Sequence, residues 1–387
     1  MSTTVTNLIP SIYAGLDVVS RELIGFIPNV QRDATAQSGA VNQTVRSPVV
    51  PAIAGEDITA GNVPADTGNQ TVGFVDVSIT KARAFPIRWT GEEQLSVTAN
   101  GVVNTVLRDQ FSQAFRACCN EVEADLAALH LAASRANGTA GTTPFGTAGV
   151  LTDLANANRI LDENGAPATG RSMIVGGAAR ANLEGIQSGL FRVNEAGDAG
   201  ALLRQRQMRE LMGFTMGYSA AIPTFTKGTG ASATTNTAGY AIGATVITLA
   251  SAGTGTIIVG DVITFAGDTN QYVVAAGDAD VSGGGTITLA APGLRRAIPA
   301  AATAITLAAT SVRNAYFSNN AIILAARQPA MPEGGDAADD VISVTDPLSG
   351  LVFQIATYRQ YRRIKYEVGL AWGVKCVKPE HLGILLG

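Results

Sequence analysis

Charge, histidine and cysteine are all scarce in this sequence, and each scarcity removes a class of function. Charged residues make up 15% of 387 positions, against about 25% for an ordinary soluble protein. A free monomer with so few charges would leave a broad uncharged surface in water, so the composition predicts an obligate assembly in which neighbours cover part of it. The net charge of -4 provides no global basic field, which argues against a protein that grips nucleic acid through many phosphates. Three cysteines cannot all pair, and Cys118 and Cys119 are adjacent within one predicted helix, where their side chains diverge. The expectation is a reduced, cytoplasmic chain in which Cys118 is packed core.

With His130 and His381 as the only histidines, no zinc cage, Cys-His-Asp nucleophile set or phosphate-cradling GxxxxGKS/T loop can be assembled from recognisable spacings. Gly176 and Gly177 lack the spacing of a dinucleotide fingerprint. The adjacent Glu92 and Glu93 read as solvated or capping residues at a helix entry rather than as an acid/base pair. The loop carrying Asp278 and Asp280 has too few ligands for calcium. The chain is therefore expected to be a non-enzyme without metal or cofactor. No run of about 18 apolar residues is present to span a bilayer, and residues 1–7 lack the basic-then-apolar order of a secretory signal.

What remains is strongly patterned. Leu107, Phe111, Phe115, Cys118, Val122, Leu126, Leu129 and Ala133 recur at steps of three or four, while Arg108, Asp109, Arg116, Glu121 and Glu123 fall mainly off that stripe. No Gly or Pro interrupts residues 103–136, so the spacing predicts one helix over 104–135, with Asn104 as N-cap and Asn137-Gly138 as terminator. At about 1.5 Å per residue such a rod would be about 48 Å long.

Upstream, Ile12, Leu16, Val19 and Leu23 predict a short helix with Asp17, Arg21 and Glu22 on its polar side. Between 42 and 80 two extended arms flank a Gly/Pro/Asp-rich middle that carries Glu56, Asp57 and Asp66. Val75, Val77 and Ile79 alternate with polar residues as in a half-exposed strand, and the whole reads as a long hairpin whose loop is either a reaching arm or disordered in the free subunit. Helices are predicted over 150–164 and 178–187 around a buried strand at 172–175. Arg204, Arg206 and Arg209 form a basic cluster beside Glu210, read as a surface or intersubunit face. From about 225 to 312 the composition shifts to Thr, Gly, Ala and Val in short, closely spaced strands: a small all-β insert, with Asp278 and Asp280 on a Gly-rich loop. Residues 320–326 resume the host, and 351–387 close it with a period-two strand, Ile364, Tyr366, Val368, Leu370 and Trp372, plus an antiparallel partner. Mixed helices and strands make the class α+β.

Four segments carry a resemblance: TNLIPSIYAGLDVVSRELIGFIP at 6–28, TKARAFPIRWTGEE at 80–93, NEVEADLAALH at 120–130 and YRQYRRIKYEVGLAWGVKCVKPEHLGILLG at 358–387. Together they resemble the major capsid (coat) proteins of tailed bacteriophages, in the short-tailed-phage branch that carries a β-rich insertion domain. The resemblance implies the tailed-phage major capsid fold, distributed here as an N-terminal arm (1–41), an extended hairpin loop (42–80), a peripheral domain with the spine helix 104–135 (81–135) and a C-terminal long antiparallel sheet (346–387), an axial domain in two parts (136–224 and 313–345), and the all-β insertion domain (225–312).

By the same resemblance, the chain is expected in hexamers and pentamers of an icosahedral shell, assembled in the host bacterial cytoplasm around a scaffolding protein. A portal protein is implied at one vertex, and packaged double-stranded DNA inside without sequence-specific binding. Some related shells are cross-linked through Lys and Asn; no such pair is identifiable here, so non-covalent joints are expected. Intersubunit contacts are expected at Asp17, Arg21, Glu22, Glu56, Asp57, Asp66, Arg204, Arg206, Asp278 and Asp280. Two readings compete. A cellular nanocompartment shell of similar fold would enclose enzyme cargo in place of a genome. A secreted β-rich adhesin would need an export signal that residues 1–7 do not supply.

Overall fold

Among the described residues the longest strand, Arg363–Cys376, is the member around which one of two large sheets is built. The computed structural model describes residues 25–33, 41–42, 44–49, 60, 71–98, 103–187, 210–346 and 349–387. One edge of the long strand carries Lys81–Thr90, in register from Trp372 opposite Lys81 to Arg363 opposite Thr90. Its other edge is shared end to end by Val352–Gln360 and Ile322–Arg327. Asp340–Thr345 extends the sheet beyond Val352–Gln360, and Gln31–Arg32 adds to Ile322–Arg327 in parallel. The strand at 81–90 is not legible from sequence because Pro86 interrupts it. It is tolerated because Lys81–Thr90 pairs on one side only among the described residues, so the missing N–H costs no ladder bond there.

The period-two pattern places Tyr366, Val368, Leu370 and Trp372 on one face, where they are buried under the long helix Val103–Ala128. Phe111 meets Tyr366 edge-on at 5.7 Å, Phe115 meets Phe353 at 5.1 Å, and Asp125 accepts from Trp372 Nε1 at 2.8 Å and from Lys81 Nζ at 2.6 Å. From Phe111 to Asp125 along the helix and from Tyr366 to Trp372 along the strand are both steps of about 20 Å, so helix and strand run side by side without losing register.

The helix corrects the expectation of one rod over 104–135: it ends at Ala128, continues as a 3-10 turn, Leu129–Ala132, and gives way to the strand Arg135–Gly138. The reason is long-range pairing. Residues 135–138 are clasped in parallel by Leu382–Leu386 on one side, and two of them pair antiparallel with Gln271–Ala276 on the other. Those ladders outweigh the local helix signal that the stripe through Leu129 and Ala133 supplies.

That short strand opens the second host sheet, ordered Arg135–Gly138, Leu382–Leu386, Ser311–Ser318, Arg171–Val175, Phe214–Tyr218. Helices Thr152–Glu163 and Gly177–Gly185 cover one face through Leu154, Leu161 and Leu183 against Met173, Val175 and Tyr316. The other face, with Ile174, Ala315, Phe317 and Ile384, joins the core beneath the long helix. Gly383 stands opposite Tyr316, and a β-carbon there would overlap the Tyr316 ring, so the glycine is what lets that ring lie flat on the sheet.

A separate apolar cluster is drawn wholly from residues 233–307, mainly on strands Val246–Leu249, Val262–Phe265, Gln271–Ala276, Gly285–Leu289 and Ile305–Leu307. This β unit hangs on a neck where Phe225 pairs with Ser311 and Thr224 with Val312, and it is braced where Gln271 and Tyr272 pair with Ala136 and Arg135.

Candidate assembly surface

The hairpin strands Thr44–Val49 and Gly73–Ser78 form a two-stranded ribbon with no third strand among the described residues. Its base is seated on the second face of the first sheet, where Val77 and Ile79 pack with Ile323, Ala325 and Ala371. Lys375 Nζ donates to Asp76 O at 2.8 Å, Thr80 N to Trp372 O at 3.1 Å and Asn42 N to Ile79 O at 2.8 Å. Gly373 makes the seat possible, because a β-carbon there would overlap the Ser78 carbonyl. Away from the base the ribbon is open: Phe74 is 58% exposed beneath the Arg46 guanidinium, which pairs with Asp76 in solvent.

Beside the outer strand of the same sheet lies a mainly apolar groove of about 640 Å³ between Phe85, Ile87, Val106, Gln110, Gln113 and Ala114. The strand is followed by a reciprocal cap: Thr90 N donates to Glu93 Oε2 at 2.7 Å, and Glu93 N donates to Thr90 Oγ1 at 3.3 Å, which fixes the start of helix Gly91–Thr98.

Of the residues expected at intersubunit contacts, Asp17, Arg21, Glu22, Glu56, Asp57, Asp66, Arg204 and Arg206 lie outside the described residues. Asp278 and Asp280 lie together on one turn of the β unit. Asp278 Oδ1 accepts from Asp280 N at 2.8 Å, and Asp280 Oδ1 accepts from Ser282 N at 3.1 Å and Ser282 Oγ at 2.6 Å. Those bonds, the side-chain one foremost, hold the Asp280 carboxyl below its ordinary range.

Several polar residues prove more consequential than the sequence indicates. Glu123, read as off the apolar stripe, is 1% exposed; it accepts from Phe26 N at 2.9 Å, Ile27 N at 3.0 Å and Ser219 Oγ at 2.9 Å. Burial pushes its carboxyl above the usual range against those bonds, which favour the anion. Position 123 falls directly after core residue Val122 and three before Leu126, and a carboxylate so close to the apolar stripe was the available clue.

Arg135 is a buried cation that donates to Glu163 Oε2 at 2.6 Å, Ile160 O at 3.3 Å and Asn270 Oδ1 at 3.1 Å, tying the host helix to the β unit. Burial opposes ionisation of Glu163, but the bonds from Arg135 and Arg159 outweigh it and hold the carboxyl below its ordinary range. A carboxyl shifted in that direction adds stability above the usual carboxylate range and loses it as pH falls through the folded value. Arg135→Met should therefore cost about 2–3 kcal/mol at neutral pH, with a smaller deficit in acid, as checked by urea denaturation at both pH values.

At the neck, the Arg313 guanidinium is buried 4.8 Å over the Phe225 ring, in the field of Asp261, with no hydrogen-bond partner among the described residues. Burial brings its pKa down to about 10. His130 meets the same ring edge-on, and its Nδ1 lies 3.0 Å from Ala127 O, so that nitrogen carries the proton; burial lowers the pKa of the ring. His381 lies beside Asn320, and burial pushes the Cys119 and Cys376 thiols up to about 12 and Cys118 higher still. Among the described residues no group of three or more His, Cys, Asp or Glu is placed to hold a metal ion, and no helix is long and apolar enough to cross a membrane.

No family model and no curated protein matches the sequence. The chain is similar to the solved capsid structure of the cyanophage P-SCSP1u, at 10% identity and a TM-score of 0.48 over 93% of this chain and 87% of that one. It is also similar to a structure from Mycobacterium phage Che8, at 12% identity and a TM-score of 0.46 over 92% and 89%. A third similarity is to a virus-like particle from Pyrococcus furiosus, at 8% identity and a TM-score of 0.43 over 97% and 98%.

Proposed function

We propose that this chain is the major capsid protein of a tailed bacteriophage, a tile that builds an icosahedral shell from hexamers and pentamers through non-covalent joints. The observation that carries the reading is the ribbon of Thr44–Val49 and Gly73–Ser78, anchored at its base but exposing Phe74 beyond it. A two-stranded ribbon is marginal in water by itself, so its exposed part calls for a neighbour's surface. The low charge content supports the same conclusion. In this reading the sheet around Arg363–Cys376 and its helix form the peripheral domain, the sheet around Ser311–Ser318 the axial domain, and residues 225–312 an insertion domain. The expected charged contacts, a scaffolding protein, a portal and packaged DNA belong to this proposal.

Electron microscopy of the purified protein tests it: closed particles are expected, and a monodisperse monomer at high concentration would overturn it. Particles that enclose protein cargo and no nucleic acid would move the assignment to a cellular compartment. Deleting residues 55–68 should leave a soluble, folded subunit whose circular dichroism and melting temperature are unchanged but which builds no closed particles. Normal shells from the deletion would remove that segment from the interface.

A further inference from the structure

We propose that residues 25–33 are a staple between the two host sheets, pinned by Glu123, which sets the angle between those sheets. Within this short stretch the chain engages three bodies. Phe26 stacks on Phe317 of the second sheet at 6.0 Å with ring planes 7° apart. A β-carbon at Gly25 would overlap the Tyr218 carbonyl of the same sheet. The amides of Phe26 and Ile27 both end on the Glu123 carboxylate of the long helix, which also receives Ser219 Oγ from the chain just after strand Phe214–Tyr218. Asn29 Nδ2 closes the bend by donating to Gly25 O at 2.7 Å. Gln31–Arg32 then enters the first sheet in parallel with Ile322–Arg327, and Asp33 N donates to Leu324 O at 3.2 Å.

One carboxylate therefore holds donors from the staple and from the second sheet while sitting on the helix that backs the first. The staple has little slack. Phe26 and Ile27 are buried, and releasing either amide would strand a polar group in the core. Any pull on the chain at Gly25 would thus reach both sheets at once. Use of this coupling during assembly rests on the shell reading given above; the staple itself does not.

The test compares Glu123→Gln, whose amide nitrogen cannot accept, with the milder Ser219→Ala. Hydrogen exchange at the Phe26 and Ile27 amides should accelerate by about tenfold to a hundredfold in the first and less in the second. Spin labels at Leu95→Cys and Met212→Cys, both exposed and one on each half, should report a broader distance distribution in the Glu123→Gln background. Particles built by that variant should vary in diameter. Unchanged exchange and an unchanged distance distribution in both variants would overturn the staple. If Glu123→Gln does not fold, Ser219→Ala decides by the same readings. If the wild-type protein builds no particles, the shell reading fails while exchange and distance still decide the staple.

Discussion

Phe115→Ala is expected to lower the unfolding free energy by about 3–5 kcal/mol. The ring is fully buried at the middle of the long helix and stands edge-on to Phe353 at 5.1 Å. The helix and the sheet below it are both regular and are joined at each end of the contact, through Phe111 with Tyr366 and Asp125 with Trp372. Neither element can settle into the void, so the cavity stays open and its lining loses dispersion contacts. Trp372 is buried in the same layer and supplies the fluorescence signal for a urea titration. The exposed control Leu95→Ala should change stability by less than about 0.5 kcal/mol. A shift in Phe115→Ala no larger than the control's would disprove the packing described for this helix.

Gly373→Val is expected to separate folding from assembly. The added side chain would collide with the Ser78 carbonyl, and the hairpin base would have to lift from the sheet, losing the Lys375 bond to Asp76 O and the burial of Val77 and Ile79. The sheet beneath is held independently by its pairing with Lys81–Thr90 and Ile322–Arg327, so the subunit should still fold, with about 1–3 kcal/mol lost to overpacking. Closed particles should disappear, because a mis-seated ribbon aims its exposed surface away from any neighbour. Calorimetry of the subunit and microscopy of the product check the two halves separately. Intact particles from Gly373→Val would mean that the seat does not govern assembly.

The parts of the fold that could be read in advance are those in which local periodicity and tertiary burial agree. The alternation from Ile364 to Trp372 and the stripe from Leu107 to Leu126 correspond to the strand and helix that pack face to face. Where the two conflict, burial and pairing win. Pro86 hid an edge strand, and the stripe through Leu129 and Ala133 carried the helix expectation past Ala128, into a strand whose partners lie at 271–272 and 383–386. Of the charged residues expected at interfaces, Asp278 and Asp280 cap their own turn, a use visible only once Ser282 is placed beside them.

By itself the sequence determined the α+β class, the face each long element buries and the sparse charge, because spacing and composition are properties of the chain alone. Only the tertiary structure decided which polar groups hold the pieces together. Glu123, Arg135 and Arg313 are distinguished by their burial, and shielding a charge from solvent is the joint work of segments far apart in the chain.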